Sequence, residues 1–208
     1  MEIYLVRHGE TTWNAMDRVQ GWVAVPLNEK GKAQAVKLRD LFISIEFSAI
    51  YSSDLERAVQ TARIIAEPHG LEVKQLWGLR EVKRGLLNGL TLTEITFKFP
   101  NFLKDFREDP YTTRPPEGES LRDAEERIRD ALEEIRLENR GKRILIVAHV
   151  LTNIVIQSVV LEKAITPTTY KEWFMQPGEF RVFNWPDDRS FKKAGLTGTW
   201  RMEHQSAQ

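Results

Sequence analysis

Ile3-Tyr4-Leu5-Val6-Arg7-His8-Gly9-Glu10-Thr11 is a short apolar run that stops at a basic pair followed by a glycine. Branched and aromatic residues in series read as a buried β-strand. Gly9 then allows the chain to turn at once. An imidazole at the end of such a strand, beside a guanidinium, is well placed to handle a phosphate. His8 is read as a covalent nucleophile, since neutral imidazole attacks phosphorus and the phosphohistidine then passes the group on.

A second apolar run, Arg143-Ile144-Leu145-Ile146-Val147-Ala148, is the clearest buried strand and stops at His149. Between and beyond these two runs, helical periods alternate with short strand patterns. Asn28 is expected to cap a helix over about 29–44, with Ala33, Val36, Leu41 and Phe42 as its apolar positions. Phe47 to Tyr51 reads as a strand. Asp54 is a candidate cap for a helix burying Leu55, Ala58, Val59, Ala62 and Ile65, with Arg57 in its first turn. Leu71 to Leu76 fits a third strand, followed by a loop carrying Glu81, Lys83, Arg84 and Gly85. Pro100 is expected to begin a helix with Phe99, Phe102 and Phe106 on one side, as core or lid packing. Ser120 should cap a long helix reaching about Asn139, and Thr166-Pro167 another. Strands are expected at 179–185 and at about 191–200.

Alternating strands and helices indicate an α/β fold with a largely parallel sheet between helices. Residues 1–208 read as a single domain in which about 90–119 form a lid or substrate segment. Ligands of such sheets bind beyond the carboxyl ends of the strands. His8 and His149 both stand there.

Lys plus Arg and Asp plus Glu both number 30, so the formal net charge is zero and no nucleic-acid or membrane attraction is expected. An anion site must come from local clustering of basic groups. The absence of cysteine excludes disulfides, zinc-thiolate sites and a thiol nucleophile. With a strand starting beside Met1 and no long apolar run, neither a signal peptide nor a membrane span is expected, and the protein reads as cytoplasmic.

A transferring phosphoryl group spreads charge over three oxygens and calls for several cations around it. Arg7 is adjacent, Arg57 begins a helix, and His149 could serve if protonated. The leaving oxygen needs a proton, for which Glu81 and Glu10 are both candidates. Each residue also has a structural reading: strand-end histidines are commonly structural, Arg57 could pair with Asp54, and Glu81 could be a surface carboxylate.

Arg7-His8-Gly9-Glu10-Thr11, with Trp13-Asn14, resembles the signature of the histidine phosphatase superfamily, also called phosphoglycerate mutase-like. Gly21-Trp22-Val23, Pro26-Leu27-Asn28-Glu29-Lys30-Gly31, Tyr51-Ser52-Ser53-Asp54-Leu55-Glu56-Arg57-Ala58, Gln60-Thr61-Ala62, Glu81 with Gly85 and Gly89, Gly118-Glu119-Ser120 and Val147-Ala148-His149 follow in the family's order. The likeness runs from residue 1 to about 160. It implies a three-layer α/β/α sandwich with a mostly parallel central sheet and a mechanism without metal. It also implies that His8 is phosphorylated, that Arg7, Asn14, Arg57 and His149 hold the phosphoryl oxygens, and that Glu81 donates the proton. Three positions depart from the family pattern. Ala24 stands for a frequent Asp, Leu87-Asn88-Gly89 for Trp-Glu-Gly, and Val150 for a glycine after the second histidine.

The expectation is a metal-independent phosphomonoesterase of the histidine acid type, acting on a small phosphorylated metabolite without a cofactor. Gly21, Trp22, Lys83 and Arg84 are expected near substrate, with Phe102 and Phe106 at the rim. The alternative is a cofactor-dependent phosphoglycerate mutase, which would need a bisphosphate primer. Gly21-Trp22-Val23 and the 85–90 stretch lean that way, whereas the segment from Pro100 to Glu119 lacks an adjacent arginine pair. A non-catalytic phospholigand-binding regulatory module is a third reading, opposed by the presence of His8 and Glu81. A metalloenzyme built on the two histidines lacks a third ligand at recognisable spacing. A homodimer is possible, as in the family.

Overall fold

The opening run forms β1 (Glu2–Arg7) of a computed structural model that describes residues 1–186. The strand expected at about 191–200 lies outside the described residues. In chain order there follow α1 (Thr12–Ala15), α2 (Glu29–Phe42), β2 (Ala49–Ser53), α3 (Glu56–Ala66), β3 (Val73–Leu76), α4 (Leu92–Lys98) and α5 (Phe102–Glu108). The chain continues through α6 (Leu121–Glu138), β4 (Arg143–Ala148), α7 (Val150–Leu161), α8 (Pro167–Glu172) and β5 (Phe180–Asn184).

The strands make one sheet in the order β3-β2-β4-β1-β5. All neighbours are parallel except β5, which runs antiparallel to β1 along one edge. Side chains alternate between the two faces of a strand, and the two central strands use both. Ile3 and Leu5 of β1 and Ile144 and Ile146 of β4 pack against α6 and α7. Val6, Leu145 and Val147 pack on the other face with Leu38 and Phe42 of α2 and Ala58, Ala62 and Ile65 of α3. The expected three-layer α/β/α sandwich is therefore present. Its register matters for function. Arg7 pairs with Ala148, and the His8 amide donates to the Ala148 carbonyl at 3.0 Å. Both histidines thus leave the sheet side by side at one edge.

Local signals placed most helices correctly. Asn28 caps α2 by accepting from the Gly31 amide, Ser120 and Asp123 form a capping box on α6, and Thr166 caps α8 with Pro167 at its first position. Other expectations need correction. In α2 the buried stripe is Gly31, Ala35, Leu38 and Phe42, whereas Ala33 and Leu41 face solvent. The 3.6-residue period fits both stripes in part, and packing against β1 selected one. Asp54 does not cap α3; its carboxylate takes both arms of Arg80, each at 2.7 Å. Pro100 precedes rather than begins a helix, since α5 starts at Phe102. Ahead of it α4 starts on a Thr91–Glu94 capping box, a local signal the reading above did not use.

Two glycines mark where the β1 loop meets α2. A Cβ on Gly31 would stand 2.0 Å from the Glu10 carbonyl oxygen, and one on Gly9 would stand 2.4 Å from the Gly31 carbonyl oxygen. In an open helix Gly→Ala stabilises by about 1 kcal/mol. Gly31→Ala should instead destabilise by about 1–3 kcal/mol, because backbone must move to admit the methyl. Urea unfolding reads the sign directly, and a stabilised variant would contradict the packing described.

Candidate active site

At the carboxyl edge of the sheet is a cavity of about 330 Å³. His8, only 3% exposed, stands in its floor immediately after β1. Its Nδ1 lies 2.7 Å from the Gly9 carbonyl oxygen. A carbonyl only accepts, so Nδ1 carries the hydrogen and Nε2 keeps its lone pair. Burial pushes the His8 pKa well below its usual value, and the nearby Arg57 and Arg7 charges add to that shift. The ring is neutral, as a nucleophile must be.

Arg57, 1% exposed, comes from the first turn of α3. Its Nε donates to His8 Nε2 at 3.3 Å, Nη1 to the Val23 carbonyl at 3.0 Å and Nη2 to the Gly21 carbonyl at 2.7 Å. It does not pair with Asp54. Gly21 therefore serves the site through its carbonyl, from a left-handed conformation (φ +50°) that glycine adopts without strain. Thr61, one α-helical turn beyond Arg57, accepts from the Gly9 amide at 3.0 Å and donates to the Arg57 carbonyl at 2.8 Å. That hydroxyl ties α3 to the turn after His8. Arg7 is fixed from the other side, with Nη1 on the Met175 carbonyl at 2.6 Å and its guanidinium over the Phe174 ring. Burial lowers both guanidinium pKa values to about 10, with the Glu81 charge opposing the shift in each case. Both remain charged near neutral pH.

His149 is fully buried at the end of β4, its ring centroid 5.1 Å from that of His8. Neither ring nitrogen has a hydrogen-bond partner among the described residues. Burial, with the Arg57 and Arg7 charges, holds its pKa well down. It is thus neutral in this pocket, rather than the imidazolium considered from sequence, and offers one N–H. A phosphoryl dianion beside it would oppose the shift. Asn14 in α1 lines the cavity, and its Oδ1 accepts from the Thr11 amide and hydroxyl, which leaves its amide hydrogens for a ligand.

The two candidate acids separate clearly. Glu10 does not line the cavity; its carboxylate takes Lys30 at 2.7 Å and Asn28 at 3.0 Å, and these bonds lower its pKa. Glu81 is buried in the cavity wall. Its Oε1 accepts from the Val82 and Thr152 amides at 2.9 and 3.2 Å and from the Thr152 hydroxyl at 3.3 Å. Its Oε2 receives only the Leu151 amide, at 3.4 Å. The amides of Leu151 and Thr152 belong to the first turn of α7, which follows His149, so helix dipole and carboxylate attract.

Two expected substrate contacts lie elsewhere. Trp22 Nε1 donates to the Glu81 carbonyl, with its ring beneath Arg80 and edge-on to Trp77. It buttresses the Glu81 loop and does not line the cavity. Lys83 is exposed outside the cavity, and its backbone pairs with Glu119. Arg84 is in the wall as expected. The 90–119 segment supplies Leu92, Ile95, Phe102, Leu103, Phe106 and Arg107 to the wall, over a small core of Leu87, Ile95 and Phe102. Its phenylalanines are core and wall together. Arg18, Gln20 and Tyr170 also line the cavity without having been anticipated, since no local pattern marks them. Val150 lines it too, so the residue replacing the family glycine faces the ligand space. No group of three or more His, Cys, Asp or Glu fit to hold a metal stands together among the described residues. No helix among them is long and apolar enough to cross a membrane.

The depressed histidines have a consequence for stability. Unfolded histidine takes up a proton near pH 6.5, whereas buried His8 and His149 resist until lower pH. The unfolded chain then binds more protons, and stability falls as pH drops below about 6.5. His149→Gln should flatten that fall by up to about 1.4 kcal/mol per pH unit. Urea midpoints at pH 7, 6 and 5 test it, and parallel curves for the two proteins would contradict it.

The chain is similar to known proteins in sequence and fold. The model of the histidine phosphatase superfamily (branch 1) matches residues 3–194. The Escherichia coli O1:K1 / APEC protein named "Probable phosphoglycerate mutase GpmB" is 37% identical over 149 residues, covering 72% of this chain and 69% of that one. A solved structure of mycobacterial glucosyl-3-phosphoglycerate phosphatase with VO3 has a TM-score of 0.80 and 28% identity, covering 87% of this chain and 90% of that one. Bacillus stearothermophilus YhfR has a TM-score of 0.81 and 30% identity, covering 87% and 89%. The chain belongs to the histidine phosphatase superfamily, whose members named here include a phosphatase and a mutase.

Proposed function

We propose that the protein is a metal-independent phosphomonoesterase acting on a small phosphorylated metabolite through a phosphohistidine on His8. The observation that carries this is the neutral His8, tied at Nδ1 to the Gly9 carbonyl, with Nε2 facing the Arg57 guanidinium. Nε2 attacks phosphorus, the P–O bond to the leaving group breaks, and Glu81, having taken a proton from solvent as the phosphoryl dianion binds and replaces its charge beside the arginines, passes that proton to the departing alkoxide. Oε2 is the oxygen for that proton, since Oε1 is already occupied. Arg7, Arg57, Asn14 and the His149 N–H stabilise the equatorial oxygens. In the second half, water attacks the phosphohistidine while the Glu81 carboxylate takes its proton. Phosphate leaves and His8 returns to its neutral form. Every part of the cycle has a side chain, and no cofactor is required.

Water is favoured as acceptor because the 100–119 segment brings a single cation, Arg107, to the cavity wall and no pair of arginines to clamp an intermediate. Arg114 pairs with Asp123 at 2.7 Å, and Lys104 and Arg107 are exposed. Mutase chemistry is the second reading, supported by the name of the Escherichia coli relative. It would use the same His8 with a bisphosphate primer.

A panel of phosphomonoesters assayed with chelator present should show phosphate release, and inactivity across the panel would remove the hydrolase reading. Isomerisation of 3-phosphoglycerate dependent on a bisphosphate primer would select the mutase. His8→Ala should lower turnover by roughly 10⁴-fold or more and abolish phosphoenzyme formation; a phosphorylated variant would exclude His8 as nucleophile. Glu81→Gln should cost roughly 10²–10⁴-fold with alkyl phosphates and much less with aryl phosphates. Equal losses would exclude its role as acid.

A further inference from the structure

Outside the cavity, Glu119 of the Gly118-Glu119-Ser120 motif forms an ion pair with Arg127 of α6 at 3.0 Å. The Arg127 side chain is 8% exposed, and its ring-like plane lies over Trp77. Nη1 donates to the Gly78 and Arg80 carbonyls at 2.9 and 2.8 Å. Nη2 donates to the Glu81 carbonyl and to Glu119 Oε2, both at 3.0 Å, and Nε to Glu119 Oε1 at 3.4 Å. A guanidinium has five N–H groups, so this one is fully engaged. The carbonyls of Arg80 and Glu81 belong to the two peptide groups on either side of the Glu81 Cα. Peptide groups are planar, so fixing both planes fixes φ and ψ of Glu81 and the direction in which its side chain leaves the backbone.

The loop has other anchors. Leu79 and Val82, on either side of Arg80-Glu81, are fully buried in the core with Leu121, Ala124 and Ile128 of α6. The Arg80 carbonyl also accepts from the Thr152 hydroxyl at 2.8 Å, and the Glu81 carbonyl from Trp22 Nε1. Without Arg127 the loop would stay docked and neither carbonyl would be orphaned. What the guanidinium adds is one rigid fork across the main chain from Gly78 to Glu81.

We propose that Arg127 is a positioning residue for proton transfer, acting through Glu81 by holding its carboxylate at the angle from which the proton reaches the leaving oxygen. This rests on the acid role proposed above for Glu81. Glu119 orients the guanidinium and also accepts from the Lys83 amide at 2.9 Å, so one ion pair ties the Glu81 loop to the end of the 90–119 segment. A misplacement of about 1 Å at a reacting group can cost roughly 100-fold, which is how a residue outside the cavity governs a step inside it.

Single-turnover release of the alcohol from an alkyl phosphate and of the phenol from an aryl phosphate tests this. Arg127→Met should slow alcohol release roughly 10- to 100-fold and phenol release far less, because a phenolate leaves with little help from an acid. In a Glu81→Gln background the same substitution should lower neither rate further, since it acts through a group already lost. Arg127→Lys keeps the charge without the fork and should give an intermediate alkyl loss; it carries the same comparison should the Met variant fail to fold. Melting curves identify a loss of fold, which would lower both rates together. Equal losses on the two esters, or a full further loss in the Glu81→Gln background, would overturn the inference and leave Glu81 as the acid. Wild-type protein that releases alcohol but keeps the phosphoryl group on His8 instead of passing it to water, with the alkyl-selective loss in Arg127→Met, would uphold the inference and remove the hydrolase reading. Release of neither leaving group by the wild type would remove both.

Discussion

Arg57, almost wholly out of solvent, bonds Nε2 of His8 and two carbonyls of the loop after α1. That contact is compatible only with a neutral His8. Burying a guanidinium costs several kcal/mol unless it is well hydrogen-bonded, and this site buries Arg7 beside it. Carbonyls of Gly21, Val23 and Met175 offset part of the penalty, and the Glu81 charge offsets more. The residue of positive field is what the phosphoryl group of the proposed substrate would meet. It is set up in the folded protein, so in the proposed mechanism no reorganisation would be needed when charge develops in the transition state.

The same sheet edge organises Glu81. His149 ends β4 and precedes α7, and the first turn of α7 donates to the Glu81 carboxylate. Trp22 and Arg127 grip the Glu81 carbonyl from the opposite side. His8, His149 and Glu81 are therefore held by the parallel register of β1 on β4. A slip of one residue would turn every side chain of β1 to the wrong face, so the packed core enforces the geometry of the site. The helical segment over the cavity has its own small core and lends the wall its apolar character.

How much of this was legible from residues alone differs by the range of the interaction. Helices α2, α6 and α8 were found through caps, whose partners lie within three residues. Strands β1 and β4 were found through their unbroken apolar runs. Residues whose role depends on distant partners were harder to place. Asp54 has the right type and position for a cap, yet Arg80 takes it. Trp22 was expected at substrate and instead supports Glu81 from 59 residues away. Lys83 and Arg84 are neighbours in the chain, but only Arg84 turns into the cavity.

The chain by itself determined that two strands end at histidines on one edge of an α/β sheet, and that arginines and carboxylates stand close enough in kind to serve a phosphate. Period and capping carry that information because they repeat within a few residues. Tertiary structure decided which carboxylate faces the cavity, which tautomer His8 adopts and which of Lys83 and Arg84 enters the cavity wall. Glu10 and Glu81 show the reason. Both are glutamates beside glycine-containing loops, and what distinguishes them is Lys30 and Asn28 on one side and the α7 amides on the other. For Glu81 those partners come from 70 and 71 residues further along the chain, brought in by a register that only the folded core imposes.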